Sequence, residues 1–271
     1  MKLGIIVDSS CGLTKVEANA KGWGFLPLIM NINGKDLQDG IDIDSKTFYS
    51  QLSIDDSVRT SATPPALILD LFEEFSKSND LVIVYGLSKE LSSQTNNMKM
   101  FAKDFPNIHV VDSTGVAEMI VRDLEVIEKM NNDKVTSDEI KNKIDQLSHS
   151  QWGIAVPETL KWLVKGGRVS SSVAGMANLL KIVPIIKFEN GKLEKHGVGR
   201  VFRKSINNAA AEVEEIGKDE LIILHGENTD INDIHKSMEE TLDKKVEVKY
   251  FPPIIALHTG PGVVAIITRK K

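Results

Sequence analysis

The stretch LKWLVKGGRVSSSVAGMANLLKIVPII, residues 160–186, combines a glycine turn, one arginine, a serine cluster and a long apolar run. Glycine takes left-handed backbone dihedrals without strain, so the pair Gly166-Gly167 predicts the end of a short helix. A second helix would follow the turn that carries Arg168, and Pro184 would end it. The three serines can cap this second helix, whose apolar face would consist of Val173, Met176, Ala177 and Leu180.

Arg168 lies where an anion could bind, between a glycine turn and a predicted helix N-terminus. The guanidinium group and the helix end attract the same negative charge. The alternative is that Arg168 pairs with a carboxylate on the protein surface, and the stretch itself leaves both interpretations open.

Composition narrows the classes to which the chain can belong. Its 271 residues are 41% hydrophobic and 26% charged, which excludes extensive disorder and suits one large or two medium domains. The net charge of −5 comes without a basic block, so nucleic acid is not an expected partner. The single cysteine, Cys11, cannot form an internal disulfide, and no apolar run is long enough for a signal peptide or a membrane span. We expect a cytoplasmic protein.

Polar residues follow three apolar runs that predict buried parallel strands. Leu3–Val7 leads into Asp8-Ser9, and the runs at 81–87 and 108–111 lead into Ser88 and Asp112-Ser113. In open α/β sheets this edge carries the ligand, although helix capping explains Asp8 and Ser9 equally well. We predict an α/β protein with two α/β domains, residues 1–150 and 151–271. The first has a mostly parallel sheet with helices on both faces, and the second has a mixed sheet with helices.

Hydroxyl side chains gather at two further predicted helix starts. Thr60, Ser61 and Thr63 precede the prolines that open one helix, and Ser92 and Ser93 precede another. Capping explains one hydroxyl at each start, and the surplus points to a ligand oxygen held by hydroxyls and backbone N–H groups.

Common catalytic and cofactor motifs are missing. The sequence has no G-x-x-x-x-G-K-[ST] phosphate loop, no G-x-G-x-x-G after the first strand, no H-E-x-x-H and no nucleophile elbow. The six histidines show no metal-ligand spacing, so neither a metal nor a cofactor is expected. A nucleophile and base formed by Ser92 and His258 stays an alternative with little weight, because some serine–histidine pairing exists in any chain of this length.

Taken together, the sequence blocks resemble the DegV family of bacterial fatty-acid-binding proteins over almost the whole chain. The order and spacing of the blocks carry the resemblance more than any one of them. They are VDSS at 7–10, TSATPP at 60–65, GLSKELSS at 86–93, VVDS at 110–113, LVKGGRVS at 163–170, LLKIVPII at 179–186 followed by NGKL and Arg200, and HTGPG at 258–262.

The resemblance implies a protein of two α/β domains that binds a long-chain fatty acid such as palmitate, in a lipid tunnel at or near the domain junction. It places the carboxylate on Thr60 and Ser92, with Ser61 and Ser93 in the same blocks. It implies that Arg168 and His258 lie near the carboxyl end and help present it to a fatty acid kinase. The chain itself would be no enzyme, would need no cofactor, and would serve phospholipid synthesis with transient membrane contact.

Three departures from the family blocks concern the predicted head-group site. Ala62 replaces a glutamine, Pro65 replaces a serine and Ser93 replaces a glycine, so the hydrogen bonds and loop shape around the carboxylate would differ. The tail tunnel would be lined by apolar side chains that could also be ordinary core: Met176, Leu179, Leu180, Ile182 and Ile186.

Two other functions remain as alternatives. Because the family resembles the substrate-binding part of dihydroxyacetone kinases, the chain could act on or bind a small hydroxylated substrate. A DNA-linked regulator is the other alternative, which the charge balance disfavours.

Overall fold

The computed structural model describes residues 1–131, 134–176, 181–217 and 221–270. The chain forms two compact units, each made of several segments. Unit 1 comprises Met1–Asp44, Ser57–His149 and Pro252–Ile254, and unit 2 comprises Ser45–Asp56, Ser150–Phe251 and Ile255–Lys271. The predicted division at 150 gives each domain one continuous range. In the structure, residues 45–56 belong to unit 2 and residues 252–254 belong to unit 1.

Strands and helices alternate along most of the chain. The strands are β1 (Leu3–Asp8), β2 (Gly24–Leu26), β3 (Ile29–Ile32), β4 (Lys35–Gln38), β5 (Val58–Ser61), β6 (Leu81–Tyr85), β7 (Ile108–Val110), β8 (Gln151–Val156), β9 (Val183–Glu189), β10 (Lys192–Gly199), β11 (Ile222–His225), β12 (Glu247–Tyr250) and β13 (Val264–Arg269). The helices are α1 (Lys15–Ala20), α2 (Ser45–Phe48), α3 (Pro65–Ser78), α4 (Gln94–Phe101), α5 (Glu118–Met130), α6 (Ser137–Ser150), α7 (Lys161–Gly166), α8 (Ser171–Ala174), α9 (Phe202–Ile216), α10 (Ile231–Leu242) and α11 (Pro253–Thr259).

Unit 1 is built on a parallel sheet of four strands in the order β2-β1-β6-β7. Alternate residues of β1 enter two different cores, with Ile5 and Val7 facing the side chains of α5 and α6 while Ile6 faces those of α3 and α4. All five residues of β6 are buried, as a strand covered on both faces requires. The predicted parallel sheet with helices on both faces is confirmed.

The run from Phe25 to Ile32 predicts a single strand from its sequence, and this prediction is wrong. It forms two strands, β2 in the parallel sheet and β3 in a separate antiparallel sheet of order β4-β3-β5. Pro27 lies between them, and proline cannot donate a ladder hydrogen bond. The pair Asn33-Gly34, whose sequence predicts a hairpin turn, joins β3 to β4, and both residues have positive φ.

Unit 2 is built on a mixed sheet of six strands in the order β10-β9-β8-β13-β11-β12. Only β11 and β12 pair in parallel, and the other neighbours are antiparallel. The predicted mixed sheet is therefore confirmed. Pro184, which we expected to end a helix, lies in β9 opposite Val198 of β10, beyond the residues that pair with β8. Its missing N–H costs no hydrogen bond to β8 there.

Two helices differ from the sequence-based expectation. Helix α8 covers only Ser171–Ala174, and Ala177 and Leu180 of the predicted apolar face lie outside the described residues. The apolar run before HTGPG forms helix α11, whose last turn contains His258. A proline at the first helical position is a regular helix start, so Pro253 was the signal for this helix.

Candidate functional site

The first hydroxyl-bearing part of unit 1 is the threonine segment, Thr60–Pro65. Thr60 is half-buried in β5 opposite Met30 of β3, and Ser61 is exposed at the end of the strand. We expected one hydroxyl of this segment to cap α3, which is wrong. The N-cap residue is Pro64, and no side chain caps the helix. The Thr63 hydroxyl instead donates to the Pro27 carbonyl at 2.8 Å. Capping therefore does not account for any of the three hydroxyls.

The second hydroxyl-bearing part is the serine segment, Ser88–Gln94, which connects β6 to α4. Ser92 is half-buried, and its Oγ accepts a hydrogen bond from the Gln94 N–H at 3.2 Å. Since that bond uses Oγ as an acceptor, the Ser92 proton is available to a ligand oxygen, and no described residue accepts it. Ser93 is exposed at the N-cap position of α4.

One buried side-chain pair joins these two segments. The Gln94 carbonyl accepts from the Thr63 N–H at 3.0 Å, and the Gln94 amide donates to the Thr63 hydroxyl at 2.9 Å. Thr60 and Ser92 thus lie on segments that are tied together inside unit 1. Gln94 could not be predicted as a site residue, because its sequence neighbours do not show that its side chain is buried.

Asp8 is a buried support of the loop that leads into the serine segment. It is fully buried, and its Oδ2 accepts from the Leu87 N–H at 2.8 Å, while Oδ1 accepts from the N–H and hydroxyl of Ser10. Burial raises the pKa of Asp8 to about 6, against the lowering effect of these hydrogen bonds. The structure shows the capping interpretation of Asp8, because its side chain caps the short helical turn Ser9–Cys11. Its bond to the Leu87 N–H was not predicted.

The polar residues predicted at the carboxyl ends of β1, β6 and β7 lie there, and they bond to other groups of the protein. The Ser113 hydroxyl donates to the Gly86 carbonyl at 2.6 Å, and the Ser88 N–H donates to the Gly115 carbonyl at 2.9 Å. Asp112 binds two lysines, Lys89 and Lys99. These groups fix the loops around the serine segment and do not themselves form an open ligand site.

In unit 2, Arg168 and His258 lie around Gly166. The Arg168 guanidinium donates to the Gly166 carbonyl at 2.7 Å, and a Cβ atom at Gly166 would overlap the His258 ring. Gly167 has φ +67° and ends α7, as predicted. Burial first, and the Arg168 charge second, lower the pKa of His258 to about 4. The imidazole is therefore neutral at pH 7.

The surface ion pair is the alternative for Arg168 that the structure contradicts, and the anion site stays a prediction. Within the described residues no carboxylate pairs with its guanidinium. The helix that follows is only four residues long, and its N-cap Ser170 makes no capping bond; the Ser170 and Ser172 hydroxyls bond each other at 2.9 Å. The guanidinium charge is held by a glycine turn and its carbonyl.

The HTGPG loop packs against α7. Gly260 and Gly262 have φ of +74° and +80°, and a Cβ atom at Gly260 would overlap the indole ring of Trp162. Two glycines around a proline predict a loop with free backbone N–H groups, and this prediction is wrong for both glycines. Gly260 donates to the Ala256 carbonyl and Gly262 to the Gly226 carbonyl. The loop keeps His258 close to the glycine turn, and the N–H groups of its two glycines are used within the fold.

Three of the predicted tunnel residues lie in or against one apolar cluster of unit 2. Met176 and Ile186 are buried beside Leu160, Leu163 and Val173, and Ile182 packs against them partly buried. Leu179 and Leu180, also predicted to line the tunnel, lie outside the described residues.

The described part of the chain offers no group of three His, Cys, Asp or Glu side chains that could hold a metal ion. Among its helices, none has the length and apolar character needed to cross a bilayer.

Comparison with known proteins decides the family. The family model described as "Uncharacterised protein, DegV family" matches residues 2–271. This chain belongs to the DegV family. A DegV domain-containing protein of Mycoplasmopsis pulmonis is 37% identical, over 98% of this chain and 94% of the relative.

Solved DegV structures share the fold. A fatty acid binding DegV family protein from Streptococcus agalactiae is 26% identical with a TM-score of 0.86, covering 100% of this chain and 99% of that one. A stearic acid-binding protein from Eubacterium ventriosum is 24% identical with a TM-score of 0.85, covering 99% of this chain and 98% of its own. The α/β fold predicted from the sequence is thus the fold of known DegV proteins.

Proposed function

We propose that this DegV family protein binds a long-chain fatty acid such as palmitate and presents its carboxylate to a separate kinase. The observation that carries the proposal is the pair of hydroxyl-bearing segments in unit 1, joined by buried hydrogen bonds. Thr60 and Ser92 would bind the carboxylate, with Ser61 and Ser93 beside them. Hydroxyl donors to a charged acceptor form strong hydrogen bonds, and the relatives described as fatty-acid-binding support this choice of ligand.

The tail would supply most of the binding energy. Burying about 15 methylenes at about 0.8 kcal/mol each contributes on the order of 12 kcal/mol before the costs of association. This is enough for tight retention without a covalent bond, and the polar groups add further affinity and orient the head. Met176, Ile182 and Ile186 are the described residues that we assign to the tunnel wall.

The chain would have no turnover of its own. It lacks a phosphate-binding loop for ATP, and we assign no nucleophile to it. The partner kinase would bring ATP, whose γ-phosphoryl group would pass to a carboxylate oxygen with release of ADP. The acyl phosphate would then enter phospholipid synthesis in the cytoplasm.

Intact-mass analysis under native conditions tests the proposed ligand. The purified protein should carry an extra mass equal to that of a long-chain fatty acid, which is released on denaturation. An empty protein that acquires no fatty acid on incubation, but does bind a triose or a sugar, would overturn the proposal in favour of a small hydroxylated substrate.

We expect Arg168→Ala and His258→Ala to leave a loaded protein that works poorly with the kinase. Both side chains lie around Gly166, and Arg168 places a positive charge beside a neutral imidazole, an arrangement suited to developing negative charge. Bound fatty acid should fall less than threefold, while acyl phosphate formation per loaded molecule should fall at least tenfold. The measurements are bound lipid by mass spectrometry and product formation with the cognate kinase.

The matched control for these variants is Arg203→Ala, an exposed arginine of α9 in the same unit. Arg203→Ala should change neither the amount of bound fatty acid nor the acyl phosphate formed per loaded molecule. If Arg168→Ala and His258→Ala are empty after purification but react normally once loaded, the two residues serve retention and the presentation role is wrong.

Met176→Trp is expected to shorten the chain length that the protein accepts. Met176 is buried in the apolar cluster of unit 2, and an indole would occupy space that the tail end needs. Affinity for C18 acids should fall about tenfold, and affinity for C12 acids less than threefold, in equilibrium binding measurements.

Met238→Trp provides the comparison, since Met238 is equally buried but packs in the separate core under the mixed sheet. Overpacking there should lower the melting temperature without any dependence on chain length. Equal losses for C12 and C18 in Met176→Trp would place Met176 in the ordinary core.

A further inference from the structure

Thr63 and Gln94 form a closed hydrogen-bonded pair in the interior of unit 1. Their side chains are 2% and 0% exposed, so water does not compete for these bonds. The Gln94 carbonyl accepts from the Thr63 N–H, and the Gln94 amide donates to the Thr63 hydroxyl. Two bonds in opposite directions fix both the distance and the orientation of the pair.

Each member of the pair is directly connected to one candidate carboxylate-binding segment. Thr63 lies three residues after Thr60, just beyond the end of β5. Gln94 uses its backbone N–H to bond the Ser92 hydroxyl oxygen at 3.2 Å, while its side chain reaches Thr63. One residue therefore contacts both segments.

The pair is also anchored to the rigid part of unit 1. The Thr63 hydroxyl donates to the Pro27 carbonyl at 2.8 Å, next to the edge strand β2. The Gln94 amide lies 3.8 Å from the sulfur of Met98, which is fully buried in the core beneath α4. Any movement of one segment against the other would break bonds that water cannot replace.

Resting on the proposed function, we infer that Thr63 and Gln94 are positioning residues that hold Thr60 and Ser92 at the separation one carboxylate requires, and so set the preference for an acid over an uncharged head group. Two donors on separate segments bind one small anion well only when their relative position is fixed to within about 0.5 Å. Ala62, which carries no amide, cannot provide this tie from within the threonine segment.

The test compares palmitate with hexadecanol, which has the same tail and an uncharged head. Gln94→Met removes both bonds of the pair, Thr63→Val removes the bond to the Thr63 hydroxyl, and Thr63→Ser keeps that hydroxyl. In equilibrium binding to delipidated protein, both disrupting variants should lose about tenfold in palmitate affinity and less than threefold in hexadecanol affinity. Thr63→Ser should retain the preference of the original chain.

Ser148→Ala is the control for a purely structural effect. The Ser148 hydroxyl oxygen accepts from the Thr114 N–H at 2.9 Å, and Ser148 is as buried as Gln94 and lies in the same unit. Its loss should lower the melting temperature and leave the acid-to-alcohol ratio unchanged. All measurements are made about 20 °C below the melting temperature of the weakest variant, so that every protein is folded.

The inference is overturned if Gln94→Met and Thr63→Val keep the acid-to-alcohol ratio, whether both affinities stay high or both fall together. Failure of the proposed function looks different, because the unmodified chain would then bind neither ligand or would not distinguish them.

Discussion

The double variant Thr60→Ala with Ser92→Ala is expected to lose fatty acid affinity by about 3 to 6 kcal/mol, roughly a hundredfold to ten-thousandfold. Each substitution removes a hydroxyl donor to a charged acceptor, which contributes about 1.5 to 3 kcal/mol. Ser92 also bonds the first N–H of α4, so a small loss of stability accompanies its removal. Isothermal titration of delipidated protein with palmitate gives the affinity, and a thermal melt gives the stability.

A control with the same number of lost hydroxyls separates binding from folding. Ser78→Ala with Thr241→Ala removes one serine and one threonine hydroxyl from exposed helix positions. We expect palmitate affinity within twofold of the original chain. Thr60→Ser, which keeps a hydroxyl, should also retain most of the affinity. An unchanged affinity in the Thr60/Ser92 double variant would move the head-group site elsewhere.

Asp39→Asn is expected to stabilise unit 1 against unfolding at pH 8 by about 1 to 3 kcal/mol. Asp39 is 1% exposed, and burial raises the pKa of its carboxyl to about 7, opposed by hydrogen bonds from Ser9, Ile254 and Gly40 and reinforced by the Asp8 charge. Its Oδ1 has no hydrogen-bond partner among the described residues. Asparagine keeps an acceptor oxygen on the bonded side and removes the buried charge.

The pH dependence follows from the direction of the pKa change. A carboxyl with a folded pKa of about 7 and an unfolded pKa of about 4 favours folding in its protonated form. Its stabilising contribution is complete below about pH 4 and is lost as the pH rises to about 7, at a cost of about 4 kcal/mol. An unpartnered amide offsets part of the gain from Asp39→Asn, by about 1 to 3 kcal/mol.

Chemical denaturation at pH 5 and pH 8 measures this effect, with the exposed Asp70→Asn as the control. The gain in the free energy of unfolding from Asp39→Asn should be larger at pH 8 than at pH 5. Asp70→Asn should change the free energy of unfolding by no more than about 0.5 kcal/mol at either pH. An equal loss of stability at both pH values would mean that Asp39 is needed as a hydrogen-bonding carboxylate and that its charge carries no cost.

Local sequence signals were sufficient for most of the fold. The uninterrupted apolar run of β6 predicted a strand buried on both faces, and Asn33-Gly34 predicted a hairpin. The signals failed where one residue type has two structural uses. Pro27 divides a predicted strand, whereas Pro184 lies within β9, beyond the residues that pair with β8. Proline alone cannot show which case applies, since the answer depends on the neighbouring strand.

The hydroxyl residues of the candidate site could be predicted from the sequence, whereas the buried residues that hold their segments in place could not. Runs of serine and threonine before helices exceeded what capping needs, and the resemblance to the DegV family singled out Thr60 and Ser92 among them. Gln94 and Asp8 gave no such signal. Gln94 acts across 31 positions of the chain and Asp8 across 79, so their bonds exist only once the sheet is assembled. Burial of a polar residue is a property of the fold and has no local pattern.

A crystal structure of the protein with bound palmitate tests the central claim most directly. The account predicts that one carboxylate oxygen lies within about 3.2 Å of the Thr60 hydroxyl and that the carboxylate also accepts from the Ser92 hydroxyl. Palmitate whose carboxylate binds other side chains, with Thr60 and Ser92 making no contact to it, would contradict the account.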